Sequence, residues 1–255
     1  ITTRVLAQPH PTPRANHKAA LPSPASYNRG APFSTPFFKP TKQGASMQLY
    51  VDSRFSSPYA MYVFVTLREK NKAYFEVTPI DLAAGQQHEA DFAKLSLTER
   101  VPMYVEGDFA VTESTAILEY LEEKHDARPA YPVNREDRAR ARQLQGWFRT
   151  GFHALCAERP TTMLFWPLKD KPAPLSEKAQ AEAQRLITVA NTLLAHGGKF
   201  LFAEQWSIVD VELATMLNRL ILSGEAVPEN LVQYAKFQWQ RPSVQWWVTQ
   251  KRDPL

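Results

Sequence analysis

The chain is poor in the features that mark several protein classes. A single cysteine, Cys156, among 255 residues leaves no partner for an intrachain disulfide, and a reduced, cytoplasmic compartment is expected. Long apolar runs are missing too. The longest uncharged apolar stretch, Tyr59 to Leu67, stops at Arg68, far short of the roughly 20 residues that a membrane-spanning helix needs, so no membrane partner is expected. The nine glycines form no phosphate-cradling loop, the six histidines show no metal-ligand spacing, and no serine-nucleophile elbow occurs. Nucleotide, metal and serine-hydrolase chemistry therefore have no support in the sequence.

Acidic residues are absent from 1–46, a stretch that carries Arg4, Arg14, Lys18, Arg29, Lys39 and Lys42 together with eight of the twenty prolines. With no apolar period and with Ser, Thr and Ala scattered between the prolines, it predicts an unpacked, disordered or non-native extension. An organelle transit peptide is the alternative, although these prolines would break the amphipathic helix a mitochondrial one needs. The chain opens with Ile, and Met47, directly before the first strand pattern, is the expected natural start. Removing the six basic charges of this stretch from the formal net charge of +4 leaves −2 for the remainder. The basic balance thus gives no reason to expect nucleic acid as a partner.

What remains reads as an ordinary globular chain, with 44% hydrophobic and 22% charged residues. Gln48 to Val51 predicts a strand, and Pro58 to Lys70 a helix with proline in its first turn. Tyr74 to Thr78 predicts a second strand. Met103 to Val105 and Phe109 to Val111 predict a hairpin turning at Gly107 and Asp108, and Ser114 to His125 a helix. The order β-α-β then β-β-α is that of an α/β thioredoxin-like domain, expected over 47–126. Pro129 and Pro132 mark a linker at 127–133. Beyond it, over 134–255, every segment has helical period: Asn134 to about Glu158, Ser176 to Ala195, Ser207 to Leu222, Pro228 to Gln240, and a final Trp-rich segment from Pro242. Ser207 and Asp210 have the spacing of a capping box.

Three local motifs, in this order, carry a resemblance: Phe55-Ser56-Ser57-Pro58-Tyr59 after the first strand, Arg100-Val101-Pro102 before the third, and Glu113-Ser114 opening the helix after the hairpin. With the Ser207-Ile208-Val209-Asp210 box, they resemble the cytosolic glutathione transferases over Met47 to Pro242. The stretch Tyr234 to Val244 and the run Asn134 to Arg142 are similar to a bacterial serine-type subgroup, the YfcF-like proteins. The resemblance implies a glutathione transferase architecture: the thioredoxin-like N-terminal domain, which holds glutathione as co-substrate, plus an all-α C-terminal domain. It further implies conjugation to small-molecule electrophiles or reduction of peroxides, no metal, and a homodimer.

The same resemblance assigns roles at the site. Ser57, at the N-terminal end of the first helix where free N–H groups and the helix dipole favour negative charge, is expected to donate to the glutathione sulfur. Adjacent Ser56 is the alternative, and either serine could simply cap the helix. Pro102 is expected to be cis, so that Val101 presents its backbone to the tripeptide as to an added strand; an ordinary strand-entry proline is the plain alternative. Ser114 is expected to bind the γ-glutamyl carboxylate at a helix N-terminus and Glu113 the α-amine, unless the pair is only a helix start. Arg100 and His88 are candidates for the glycyl carboxylate.

Other features take plainer explanations. Arg135, Arg138, Arg140 and Arg142, interspersed with Glu136 and Asp137, predict a solvated or subunit-facing helix surface. Trp239, Trp246 and Trp247 predict packing of the last segment, and Trp147, Phe148, Phe152, Phe165 and Trp166 are candidates for an electrophile pocket. Two other functions compete with catalysis by Ser57. One is a non-catalytic stress or assembly protein of the same fold. The other uses Cys156, three residues after His153, as a thiol nucleophile, against the plainer reading of a buried structural cysteine.

Overall fold

The computed structural model describes residues 47–70, 74–125, 128–202 and 205–255. The expectations for 1–46, and those touching 126–127, lie outside the described residues. Four strands, β1 (Met47–Asp52), β2 (Phe75–Ile80), β3 (Met103–Glu106) and β4 (Phe109–Thr112), form one sheet in the order β2-β1-β3-β4. β1 runs parallel to β2 and antiparallel to β3, and β3 and β4 form the hairpin. Gly107 takes φ 61° at the hairpin turn, a left-handed value that glycine adopts at no steric cost.

The alternation along β1 decides what lies on each face. Leu49 and Val51 join α1 (Pro58–Glu69) and α3 (Ser114–Lys124) in the main core, whereas Tyr50 packs on the opposite face with Ile80, Met103, Val105 and Phe92. Phe92 belongs to α2 (Ala90–Leu95), which follows a 3-10 turn at Gln86–His88. Neither short element is patterned strongly enough to be read from sequence, since Phe92 is the one buried residue of α2. The arrangement, a mixed four-stranded sheet covered by helices, is the expected thioredoxin-like one.

The remaining helices are α4 (Arg135–Thr150), α5 (His153–Glu158), α6 (Thr162–Phe165), α7 (Glu177–Leu193), α8 (Ile208–Ile221), α9 (Glu229–Trp239) and α10 (Pro242–Val248). The single helix expected over Asn134 to Glu158 is two, broken at Gly151 and Phe152. Phe152 leaves the helical region at φ −136° and ψ 40° and buries its ring completely. A side chain at Gly151 would lie 2.7 Å from the Trp147 ring, so glycine lets the break fold back on α4. α8 is buried from Ile208 to Leu220, as the central helix of the all-α part must be. Its start carries the expected box: Ser207 N–H and Oγ both donate to Asp210 Oδ2, at 2.8 and 3.1 Å. Asp210 also accepts from Leu201 N–H and the Tyr234 hydroxyl, and burial nonetheless pushes its carboxyl pKa up.

The connection expected as a linker is packed. Ala130 and Tyr131 are fully buried, Ile208 N–H donates to Ala130 C=O at 2.9 Å, and the Tyr131 hydroxyl donates to Gln145 at 2.8 Å. Further contacts tie the sheet-bearing part to the helices. Glu69 accepts from Arg241 at 2.8 Å and from Ser243 Oγ at 2.5 Å, and Trp246 stacks on Phe64 with ring centroids 4.3 Å apart. Among the described residues, no helix is long and apolar enough to cross a membrane.

Candidate functional site

The β1–α1 loop is organised by one carboxylate. Asp52, buried at the end of β1, accepts Ser56 N–H at 2.6 Å and Ser57 N–H at 3.0 Å, and also Ser56 Oγ–H at 2.7 Å. Ser57 is the N-cap of α1: its Oγ accepts Ala60 N–H at 3.2 Å, and Pro58 follows in the first turn. The adjacent serines are therefore unlike. Ser56 has committed its only hydroxyl proton to Asp52, whereas Ser57 Oγ–H donates to no group among the described residues. α1 has no acidic residue in its own first turn, and the carboxylate nearest the positive end of its dipole is that of Asp52 at the end of β1.

The Val101–Pro102 peptide is cis. Val101 lines an open cleft of about 510 Å³ together with His88, Thr98, Glu99 and Arg100. His88 Nδ1 lies 2.6 Å from Glu99 Oε2, with both side chains largely in solvent. Glu99 holds φ 51°, a conformation uncommon outside glycine. Three expected site residues, His88, Arg100 and Val101, thus share this cleft, and Ser57, Glu113 and Ser114 do not line it.

Glu113 and Ser114 stand where β4 turns into α3. Glu113 is exposed and takes φ 67°, ψ 113°, strained for a residue with a Cβ, while Ser114 is buried as the first residue of α3. Ser114 Oγ accepts from Arg149 Nη2 at 3.3 Å, and the Arg149 guanidinium lies 5.4 Å from the ring centroid of Tyr59 in the first turn of α1. Arg149 in turn pairs with the buried Glu212 at 2.8 Å. Burial works against the Arg149 charge, but the Glu212 carboxylate more than offsets it and raises the pKa. Gln145 completes the network, donating to Glu212 at 2.5 Å. One cation from the helical part therefore touches both helix ends that the site is expected to use.

Asp52 and Arg149 are absent from the sequence-derived set of site residues. Asp52 reads as the last residue of a strand, and Arg149 is separated from Ser114 by 35 positions, so no local signal connects them. The aromatic set proposed for an electrophile pocket is corrected in part. Phe148 and Phe152 are core residues, Trp147 packs on Phe152, and Phe165 and Trp166 flank Arg252. Trp247 is fully buried and Trp246 packs on Phe64, in keeping with a packing role. Arg135, Arg140 and Arg142 are exposed, with Arg142 bonded to Glu119 across to α3. Cys156 is half-buried, and burial raises its thiol pKa, the wrong direction for a reactive thiolate.

A thioredoxin-like sheet with a cis-proline directly before β3, followed by an all-helical second part, is the architecture of the glutathione transferases. Residues 47–123 match the glutathione S-transferase N-terminal domain and residues 134–252 its C-terminal domain. The chain belongs to the glutathione transferase family. Mouse glutathione S-transferase theta-3 is 28% identical over 182 residues, covering 70% of this chain and 74% of that protein. A crystallised glutathione transferase homolog from Burkholderia strain BGR1, with bound glutathione, is 36% identical with a TM-score of 0.64, covering 80% of this chain and 96% of that one. Ure2p in complex with glutathione, 16% identical at a TM-score of 0.64, shares the fold.

Proposed function

We propose that the protein is a serine-type glutathione transferase that keeps the thiol of bound glutathione ionised for attack on small electrophiles, with reduction of peroxides as a further activity. The observation that carries this reading is the difference between the two serines. Ser57 has a hydroxyl proton in hand at the positive end of α1, and Ser56 does not. A free thiol ionises near pH 8.5, so stabilising the thiolate by a few kcal/mol suffices to expose the nucleophile at neutral pH. One hydrogen bond to a charged acceptor supplies about 1.5–3 kcal/mol, and a helix end adds about 0.3–1 kcal/mol.

In this reading residues 47–126 hold glutathione, 127–133 connect, and 134–255 select the second substrate. The cysteinyl unit pairs with the Val101 backbone as an added strand. The γ-glutamyl carboxylate meets Ser114, held by Arg149, and the α-amine meets Glu113. Arg100 and His88 face the glycyl carboxylate across the shared cleft. The Burkholderia relative with glutathione bound supports this ligand. A cytoplasmic homodimer of the YfcF-like kind belongs to the same proposal, and light scattering on the purified chain tests the dimer.

Calorimetry with glutathione, followed by assays of thiol conjugation, peroxide reduction and isomerisation, tests the activity. Binding accompanied by turnover of at least one electrophile class is expected. Binding with no turnover and no change in thiol acidity would instead favour a non-catalytic stress or assembly protein of this fold.

A further inference from the structure

The segment after α10 reaches back to the serine loop. Phe55 holds φ 50°, a left-handed conformation that costs a residue with a bulky side chain. Its ring is fixed edge-on against Trp247 at 5.1 Å and Trp246 at 6.3 Å. Its carbonyl accepts two hydrogen bonds, from Trp247 Nε1–H at 3.1 Å and from Arg252 Nη2–H at 3.0 Å. The N–H of the same peptide unit, that of Ser56, is the one Asp52 takes at 2.6 Å. The plane of the 55–56 peptide is thus pinned at both ends, and with it the path of the backbone into the Ser57 cap.

Arg252 is itself built in. Its guanidinium donates to the carbonyls of Trp247, Val248 and Gln250 at 2.8–2.9 Å and lies 4.7 Å from the Phe165 ring centroid. Trp166, on the same cation at 5.5 Å, donates its Nε1–H to Asp253 C=O at 2.8 Å. Arg54, from the serine loop, crosses to Pro254 C=O at 3.3 Å. Burial draws the Arg252 pKa down to about 10, opposed by the Asp52 charge, so the side chain is a cation at neutral pH.

We infer that Arg252 is a positioning residue for Ser57, holding the Phe55 carbonyl so that the hydroxyl at the head of α1 meets the thiol sulfur in one fixed place. The inference rests on the reading that Ser57 stabilises the thiolate, and the test separates the two. In the full-length protein, ultraviolet thiolate absorbance of bound glutathione is titrated against pH for wild type, Arg252→Met, Ser57→Ala and the double variant, with glutathione affinity measured by calorimetry. Arg252→Met is expected to raise the bound thiol's pKa by about half to one unit, equivalent to a roughly three- to tenfold loss of thiolate at low pH, with affinity changed by less than about twofold. In the Ser57→Ala background the same substitution should add less than about 0.2 unit, because two residues acting through one contact are not additive.

Equal shifts in both backgrounds, or no shift beside wild-type Ser57, would overturn the inference while leaving the serine reading intact. No shift in Ser57→Ala itself would overturn both. Should Arg252→Met fail to fold by circular dichroism, Arg252→Lys keeps the charge but lacks the planar fork that reaches two carbonyls together. It is expected to shift the pKa by about half as much, and a wild-type value in the folded Lys variant would equally overturn the inference.

Discussion

Replacing Ser57 by alanine removes a single oxygen, and its effect can be worked out from what that oxygen does. It accepts Ala60 N–H at the head of α1, donates its own proton to no group among the described residues, and in the proposed function gives that proton to the sulfur. Losing a hydrogen bond to a thiolate costs about 1.5–3 kcal/mol, while the helix end, worth about 0.3–1 kcal/mol, remains. At 1.36 kcal/mol per unit, the pKa of the bound thiol should rise by about one to two units. Conjugation measured at a pH below both values should therefore fall about 10- to 100-fold, and the deficit should shrink as pH rises, because the thiol then ionises unaided. Loss of the cap separately lowers stability by about 1 kcal/mol, a drop of roughly 2–4 °C in melting temperature, which a thermal melt reads independently of activity. Ser56→Ala is the internal control: its hydroxyl serves Asp52 at 2.7 Å, and a loss of less than about threefold is expected. A pH-independent deficit in Ser57→Ala, or a larger thiol shift in Ser56→Ala, would refute the assignment.

Three other outcomes follow from the geometry. Arg149→Met should destabilise the chain by about 3–5 kcal/mol in urea titration, because the buried Glu212 loses its cation, and Arg149→Met with Glu212→Gln should recover part of that loss. Glu106 accepts from Lys124 and Tyr104; burial opposes its charge, but these bonds prevail and lower its pKa below the ordinary 4.5. Its contribution is therefore present above that value and lost as pH falls through the lowered one, so Glu106→Gln should cost about 0.5–1 kcal/mol at pH 7 and nothing once the pH has fallen below the lowered value. Gly151→Ala, which brings a methyl to 2.7 Å from the Trp147 ring, should lower stability by about 1–3 kcal/mol by thermal melt, since that ring is already packed at 4.7 Å on Phe152.

How far these features were legible depended on range along the chain. β1, α1, the β3–β4 hairpin, α3 and the cap of α8 lie within a residue or two of their expected places, because alternation, proline in a first turn and capping chemistry are local signals. The break at Gly151 was illegible because glycine is tolerated inside helices, and what ends α4 is Phe152 turning into the core. Ser57 could be placed at the head of α1 from Pro58 alone, but telling it apart from Ser56 required Asp52, whose carboxylate turns back across four and five residues to meet the loop. Arg149 and Arg252 were out of reach altogether: their contacts to Ser114 and Phe55 span 35 and 197 positions, and no periodicity records such a meeting.

Asp52 also decides what kind of anion site the proposed function places at the head of α1. A loop that leads into a helix often offers an anion several backbone N–H groups at once. Here two of them, from Ser56 and Ser57, are taken by a protein carboxylate, and Pro58 has none to give. A sulfur anion arriving at the head of α1 therefore finds neither of these two groups, and meets instead the Ser57 hydroxyl and the dipole behind it, with the Asp52 charge close by as an opponent. The half-buried Arg252 cation lies near enough to Asp52 to interact with that charge. A site built this way concentrates its stabilisation in one replaceable side chain, so Ser57→Ala should cost more here than where backbone donors share the load. Asp52→Asn, which exchanges the opposing charge for an amide, should disorder the serines even while removing an unfavourable field. Its net effect on thiol acidity measures which of the two matters more, and a bound thiol more acidic than in wild type would show that the carboxylate's charge outweighs its ordering of the loop.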